Sequence, residues 1–156
     1  MKIRGAEKKD LKEIVNLFKL LNSKHQSNRK DFKSSIELDW YKHVLKKSYA
    51  DKNYIILVAE SNNKIIGFII GKIYLIKENL LLKNNTIGEI LFINVLDNYK
   101  KQGVGKKLIE KTEFKLRENG ATTLEIRVYD FNKEMFPEKF NFSKKLTVYE
   151  KTILDN

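Results

Sequence analysis

Glu89-Ile-Leu-Phe-Ile-Asn-Val-Leu-Asp-Asn-Tyr-Lys-Lys-Gln-Gly-Val-Gly-Lys-Lys-Leu108 is the stretch on which the fold turns. Ile90, Leu91, Phe92, Ile93 and Val95 leave no room for a solvent face, as expected of a strand covered on both sides at the centre of a sheet. We place that strand over Thr86 to Leu96. After the polar residues Asp97 to Gln102, Gly103-Val104-Gly105 opens a helix that runs to about Asn119, where Asn119-Gly120 supplies a stop. Val104, Leu108, Thr112 and Leu116 recur along it at helical spacing, with Ile109 beside them. Thr122 to Tyr129 then reads as a further strand. Strand, helix, strand is the arrangement that makes two parallel neighbours through a right-handed crossover.

Upstream, Lys2-Ile3-Arg4 reads as a short strand, and Asp10-Leu11-Lys12-Glu13 has the spacing of a capping box. Leu11, Ile14, Val15, Leu17, Phe18 and Leu21 follow at the period of an amphipathic helix. Asn22 to Lys33 is polar and reads as a loop. A second helix is expected over Ser34 to Tyr49, with Ile36, Leu38, Trp40, Tyr41, Val44 and Leu45 as its apolar groups. Tyr54 to Glu60 and Lys64 to Ile76 flank Ser61-Asn62-Asn63 and predict an antiparallel hairpin. Downstream we expect an irregular segment over Asn132 to Lys139 and a last strand from about Phe142 to Ile153. The result is an α/β chain with a mixed sheet, mostly antiparallel (α+β in that part) with one parallel pair. Its 156 residues suit one domain spanning 1–156.

Composition narrows the chemistry. No cysteine is present, so thiolate metal sites, disulfides and a cysteine nucleophile are excluded. His25 and His43 stand apart with no ligand pattern around them, so no metal is expected. No apolar run is long enough to span a bilayer and the N-terminus lacks a secretory core, so we expect a cytoplasmic protein with no membrane partner. The net charge of +11 favours an anionic partner. Of the 31 basic residues, however, 27 are Lys dispersed along the chain, as an A+T-rich coding sequence alone would give. Nucleic acid is disfavoured because no recognised motif interleaves these lysines with aromatics.

The basic turn between strand and helix points to phosphate. A helix start offers unpaired N–H groups and partial positive charge, and glycines let an anion reach the backbone. Lys100, Lys101, Lys106 and Lys107 add charge. The spacing fits neither a Walker loop nor a dinucleotide fingerprint; close helix-to-strand packing is the structural alternative for Gly103 and Gly105.

Lys100-Lys101-Gln102-Gly103-Val104-Gly105 resembles the Gln/Arg-x-x-Gly-x-Gly/Ala turn of the GNAT superfamily of acetyl-CoA-dependent N-acetyltransferases, with Lys at the first position. The order of elements along the chain is similar as well. The resemblance implies a GNAT-like fold with a parallel, splayed strand pair flanked by helices, acetyl-CoA as cosubstrate, and an amine acceptor. It implies that the turn, from Lys100 and Lys101 through Gln102, Gly103, Val104 and Gly105 to Lys106, cradles the coenzyme pyrophosphate. It further implies that the Val95 N–H donates to the thioester oxygen and that Asn132 contacts the coenzyme. A homodimer is left open.

An amine acceptor arrives as an ammonium and must lose a proton before it attacks. Glu89, six residues before Val95, is the candidate base, with Glu125 and Asp130 in reserve. The family's usual tyrosine acid is missing: the corresponding run is Phe136-Pro137-Glu138-Lys139-Phe140, with Pro137 at that position. Tyr129 or Tyr149 is then the candidate general acid, or the thiolate leaves unprotonated. The alternative function is a non-catalytic acyl-CoA-binding module for regulation or interaction.

Overall fold

The computed structural model describes residues 1–33, 40–135 and 138–151. Five strands form one sheet in the order β1 (Lys2–Gly5), β2 (Tyr54–Ser61), β3 (Lys64–Ile76), β4 (Asn85–Val95) and β5 (Thr123–Ile126). All neighbours are antiparallel except β4 and β5, which pair parallel. The fold is therefore the mixed sheet expected. The β2–β3 turn works because Asn62 and Asn63 both take positive φ, 49° and 59°, which matches the twist of a tight hairpin.

Helices cover both faces. α1 (Leu11–Asn28) and α2 (Lys46–Ala50), which follows a π-helical turn at Tyr41–Leu45, lie on one face. There Ile14, Phe18, Trp40 and Leu45 pack on Ile56, Val58, Phe68 and Ile70. Trp40 stacks on Phe18 with ring centroids 3.9 Å apart, and its buried indole N–H has no hydrogen-bond partner among the described residues. α3 (Val104–Glu118) covers the other face, where Leu108, Ile109 and Leu116 meet Leu57, Ile69 and Ile90. Two glycines set its depth: a Cβ on Gly71 would come within 2.9 Å of Thr112 Cγ2, and one on Gly88 within 2.8 Å of Leu116 Cδ1. α3 thus lies directly on β3 and β4.

Several expectations need correction. Asp10 does not box with Glu13. It accepts the Glu7 N–H at 2.7 Å and a forked pair of bonds from Arg4 at 2.6 and 3.0 Å. The Arg4 guanidinium holds this buried carboxyl below its ordinary range, against the opposing effect of burial. α1 runs through Asn22 to Asn28, where the polar sequence predicts a loop. Ser23, Ser27 and Asn28 bond carbonyls three or four residues back and so remain within the helix. The expected second helix is present from Trp40, and its start at Ser34 lies outside the described residues. Last, no strand forms over residues 142–151, and β5 ends at Ile126 instead of Tyr129.

Candidate active site

β4 gives the site its shape. Ile70 pairs with Phe92 and Gly71 with Ile90, so Leu91 is an extra residue, a bulge. Leu91 and Phe92 consequently both turn to the α1 face, while Ile90 and Ile93 face α3. The bulge kinks β4 just where its pairing with β5 stops, at Ile90↔Ile126. Beyond that point β5 has ended, and among the described residues no strand lines that side of β4, which leaves a gap along its edge.

Which backbone groups face the gap follows from register. The Leu96 N–H donates to the Ile66 carbonyl on the β3 side at 2.9 Å. Alternation along the strand then turns the Val95 N–H the other way, toward the gap. The side chain of Val95 packs under α3 and opposite Gly67, where a Cβ would meet Val95 Cγ2 at 3.2 Å. Asn94 donates through Nδ2 to the Leu17 carbonyl at 2.8 Å, fixing α1 to this end of the strand.

The chain leaves β4 through a short 3-10 turn at Asp97–Tyr99 and enters the glycine turn. Lys101 and Gly103 take φ of 60° and 78°, and Gly103 is the residue that caps α3. The first helical bond is from the Lys107 N–H to the Gly103 carbonyl at 3.0 Å, which leaves the N–H groups of Val104, Gly105 and Lys106 as the orphan donors of the helix start. A Cβ built on Gly103 or Gly105 meets no atom within 4 Å. Neither glycine is there for packing; each keeps backbone donors open to whatever approaches. Gln102 ties the turn down through Nε2 to the Asn98 carbonyl at 2.8 Å. Lys100 pairs with Asp97 and Lys24 of α1 approaches the same carboxylate at 3.8 Å, so this turn and α1 are joined by charge. These features suit a phosphate group: open donors, a helix dipole and lysines on one rim.

After β5, Tyr129 stacks on Phe131 at 5.5 Å, and both meet His25 of α1 edge-on at 5.5 Å. Phe32 completes the cluster against His25 and Tyr129. Arg29 lies over the Tyr129 ring and also pairs with Asp31 and Glu150. Burial, and then the neighbouring Lys24 ammonium, lower the His25 pKa. Asn132 sits in a 3-10 segment, Asp130–Met135, with its N–H on the Tyr129 carbonyl at 2.8 Å. Tyr149 lies in the tail and is 91% exposed. Pro137 falls outside the described residues.

In the N-terminal half of β4, Lys72, Glu89 and Glu125 form one row across β3, β4 and β5. Glu89 is 13% exposed in its side chain, and Arg127 Nε lies 3.3 Å from its Oε1. Glu125 pairs with Lys145. Tyr74 adjoins both carboxylates: burial, then Glu125 and Glu89, raise its phenol pKa. Of this cluster, the sequence alone points to Glu89 and Glu125 and not to Tyr74, Lys72 or Arg127. Hairpin register was the available signal for Lys72 and Tyr74; nothing in the sequence pointed to Arg127.

A model of the acetyltransferase (GNAT) family matches residues 14–142, most of the chain. The protein belongs to that family. No curated protein sequence matches it. Among solved structures it resembles a mutant of the BH1408 protein from Bacillus halodurans, with TM-score 0.87 and 18% identity over 99% of this chain and 100% of that one. It also resembles the apo aminoglycoside 6'-N-acetyltransferase AAC(6')-IG from Acinetobacter haemolyticus, with TM-score 0.74 and 19% identity over 99% and 100%. A third is the aminoglycoside N-acetyltransferase AAC(6')-Iy in complex with CoA, with TM-score 0.71 and 17% identity over 97% and 100%. At these identities the likeness is one of fold, and this GNAT domain shares the whole of it.

Proposed function

We propose that the protein transfers an acetyl group from acetyl-CoA to a primary amine by direct attack. The observation that carries the proposal is the coincidence at one end of β4 of an open strand edge, where the Val95 N–H faces the gap, and the start of α3, whose N-cap Gly103 has no side chain to bond the first N–H groups. A ligand with a phosphate at one end and an extended amide-bearing arm at the other matches both. In this reading the N–H groups of residues 104–106 and the ammonium groups around them hold the pyrophosphate. The arm pairs with β4 as a missing strand, and Asn132 and the aromatic cluster close its far side.

Acetyl-CoA supplies the acyl group as a thioester. The Val95 N–H donates to its carbonyl oxygen, where negative charge grows as the amine attacks. Glu89 stands six residues down β4 from Val95, too far for direct contact with the same amine, so it takes the proton that frees the amine's lone pair through intervening water; the C–N bond forms, the C–S bond breaks and the thiolate leaves. Arg127, on the exposed rim, pairs with Glu89 until the cationic acceptor takes its place. Tyr129, beside the gap, is the candidate acid for the departing thiolate, and a thiol of pKa about 8.5 leaves acceptably without one. Tyr149 is the weaker candidate because its phenol is in solvent.

Release of free coenzyme A thiol across a panel of primary amines tests the proposal. At least one amine is expected to yield thiol in stoichiometry with its acetylated product. Tight acetyl-CoA binding with no thiol from any amine would favour the non-catalytic, acyl-CoA-binding reading instead.

A further inference from the structure

The β3–β4 connection ends the sheet opposite the glycine turn and plays no part in the chemistry above, yet it is built with care. Its sequence is Lys77-Glu-Asn-Leu-Leu-Leu-Lys83. Leu80 is 97% exposed and Leu81 88%, with Leu82 more than half exposed. Three consecutive leucines in water at the tip of a hairpin lie far outside what a solvated loop requires, since isolated exposed apolar residues are ordinary and contiguous ones are not. The turn also holds its shape. Asn79 Oδ1 accepts the N–H groups of both Leu81 and Leu82 at 2.9 Å, and the Glu78 N–H donates to Asn84 Oδ1 at 3.2 Å. Glu78 takes a φ of 51°, a conformation disfavoured for a side chain of its kind. Beneath the tip is an open cavity of about 390 Å³ shared by Leu82, Lys83, Ile76, Ile87 and Lys145. Leu80 and Leu81 do not line it; they project outward.

We propose that the leucine turn docks this protein on an anionic lipid bilayer, with Leu80 and Leu81 entering the interface and Lys77 and Lys83 at the headgroups. Charge selects this occupant. Lys77 and Lys83 flank the leucines against the one carboxylate of Glu78, on a chain of net charge +11. A second copy brought tip to tip would set those lysines against their like and add to the mutual repulsion of two strongly cationic molecules. An anionic surface is complementary to the same field, and apolar side chains beneath a basic rim are the composition that binds such an interface. Shape agrees: a protruding turn penetrates a headgroup layer, whereas a protein partner needs a broad complementary surface. The sequence-based expectation of no membrane partner rested on the lack of a spanning run, and the described helices are indeed too short or too polar to cross a bilayer. A surface-docked turn needs no span.

Because the chain has no cysteine, Leu81→Cys accepts a single environment-sensitive fluorophore. Mixed with vesicles of phosphatidylglycerol and phosphatidylcholine, that label is expected to shift to the blue, while the same label at Lys115→Cys on α3 does not. In vesicle sedimentation, the Leu80→Ser, Leu81→Ser double variant is expected to bind about tenfold more weakly or worse, from the apolar area it removes. Circular dichroism confirms that it is folded. An unshifted Leu81→Cys label, or a double variant that sediments like wild type, overturns the proposal and leaves only diffuse attraction of lysines to anionic lipid. If the double variant instead dissolves a dimer seen in sedimentation equilibrium, the occupant is a second copy and the proposal likewise fails.

Discussion

The two ends of β4 are made from different materials. At its C-terminal end the groups that matter are backbone: the Val95 N–H turned to the gap, and the N–H groups of residues 104–106 beyond an αL Gly103. In its N-terminal half they are side chains: Glu89 and Glu125 side by side, with Arg127, Lys145, Lys72 and Tyr74 around them. A backbone site is fixed by fold and glycine placement, so it tolerates wide sequence change. A side-chain site changes with each substitution. On the proposed function, one strand holds a constant cosubstrate at one end and a variable acceptor along the other half, and the two should fail in different ways.

The largest expected effect is at the backbone end. Gly103→Val meets no steric obstacle, but a branched side chain at φ 78° is strained by about 1–2 kcal/mol. It also stands in the path of the anion. Acetyl-CoA affinity is expected to fall about 100-fold, near 2.7 kcal/mol, by calorimetry. Gly105→Ala sharpens the point by separating fold from function. It should raise thermal stability by up to about 0.5 kcal/mol, because alanine suits a helix better, while still weakening coenzyme binding. If both quantities rise, Gly105 does not face the phosphate.

Next in size is the side-chain end. Glu89→Gln is expected to lower kcat/KM about 100-fold, leaving acetyl-CoA affinity unchanged. If coenzyme affinity falls with it, the two ends are not separate.

Smallest is a pH effect in the aromatic cluster over the gap. The folded-state pKa of His25 is lowered, first by burial and then by Lys24. The unfolded chain therefore binds the proton more readily, and the neutral imidazole's contribution to stability is lost as pH falls below its ordinary value. Thermal midpoints of wild type and His25→Phe should converge above neutrality and separate in mild acid, with the variant less pH-sensitive. Parallel curves would show that His25 is not desolvated there.

The contrast also explains what could be read in advance. The hairpin, the buried β4 run and the glycine turn announce themselves locally, through Asn62-Asn63, an unbroken apolar stretch and a Gly-x-Gly before a helical stripe. The bulge at Leu91 was hidden because a wholly apolar run has no alternation to interrupt. The extension of α1 was hidden because Ser23, Ser27 and Asn28 look like loop formers until their side chains bond back to the helix. The last strand was expected from β-branched and aromatic residues, yet Leu146 and Val148 remain exposed with no strand formed. Pairing depends on a partner edge, and composition does not supply one. Arg127 on Glu89 is a contact between strand ends that no local pattern encodes.

The central claim is that the Val95 edge and the start of α3 form one binding surface for acetyl-CoA. Backbone amide spectra of the isotope-labelled protein titrated with acetyl-CoA test it most directly. The account predicts that the N–H resonances of Val95 and of residues 104–106 shift together at a single affinity, while those of Ile87 to Glu89 hardly move. Shifts confined to surface lysines, or a Val95 resonance that stays in place while the helix start responds, would contradict it.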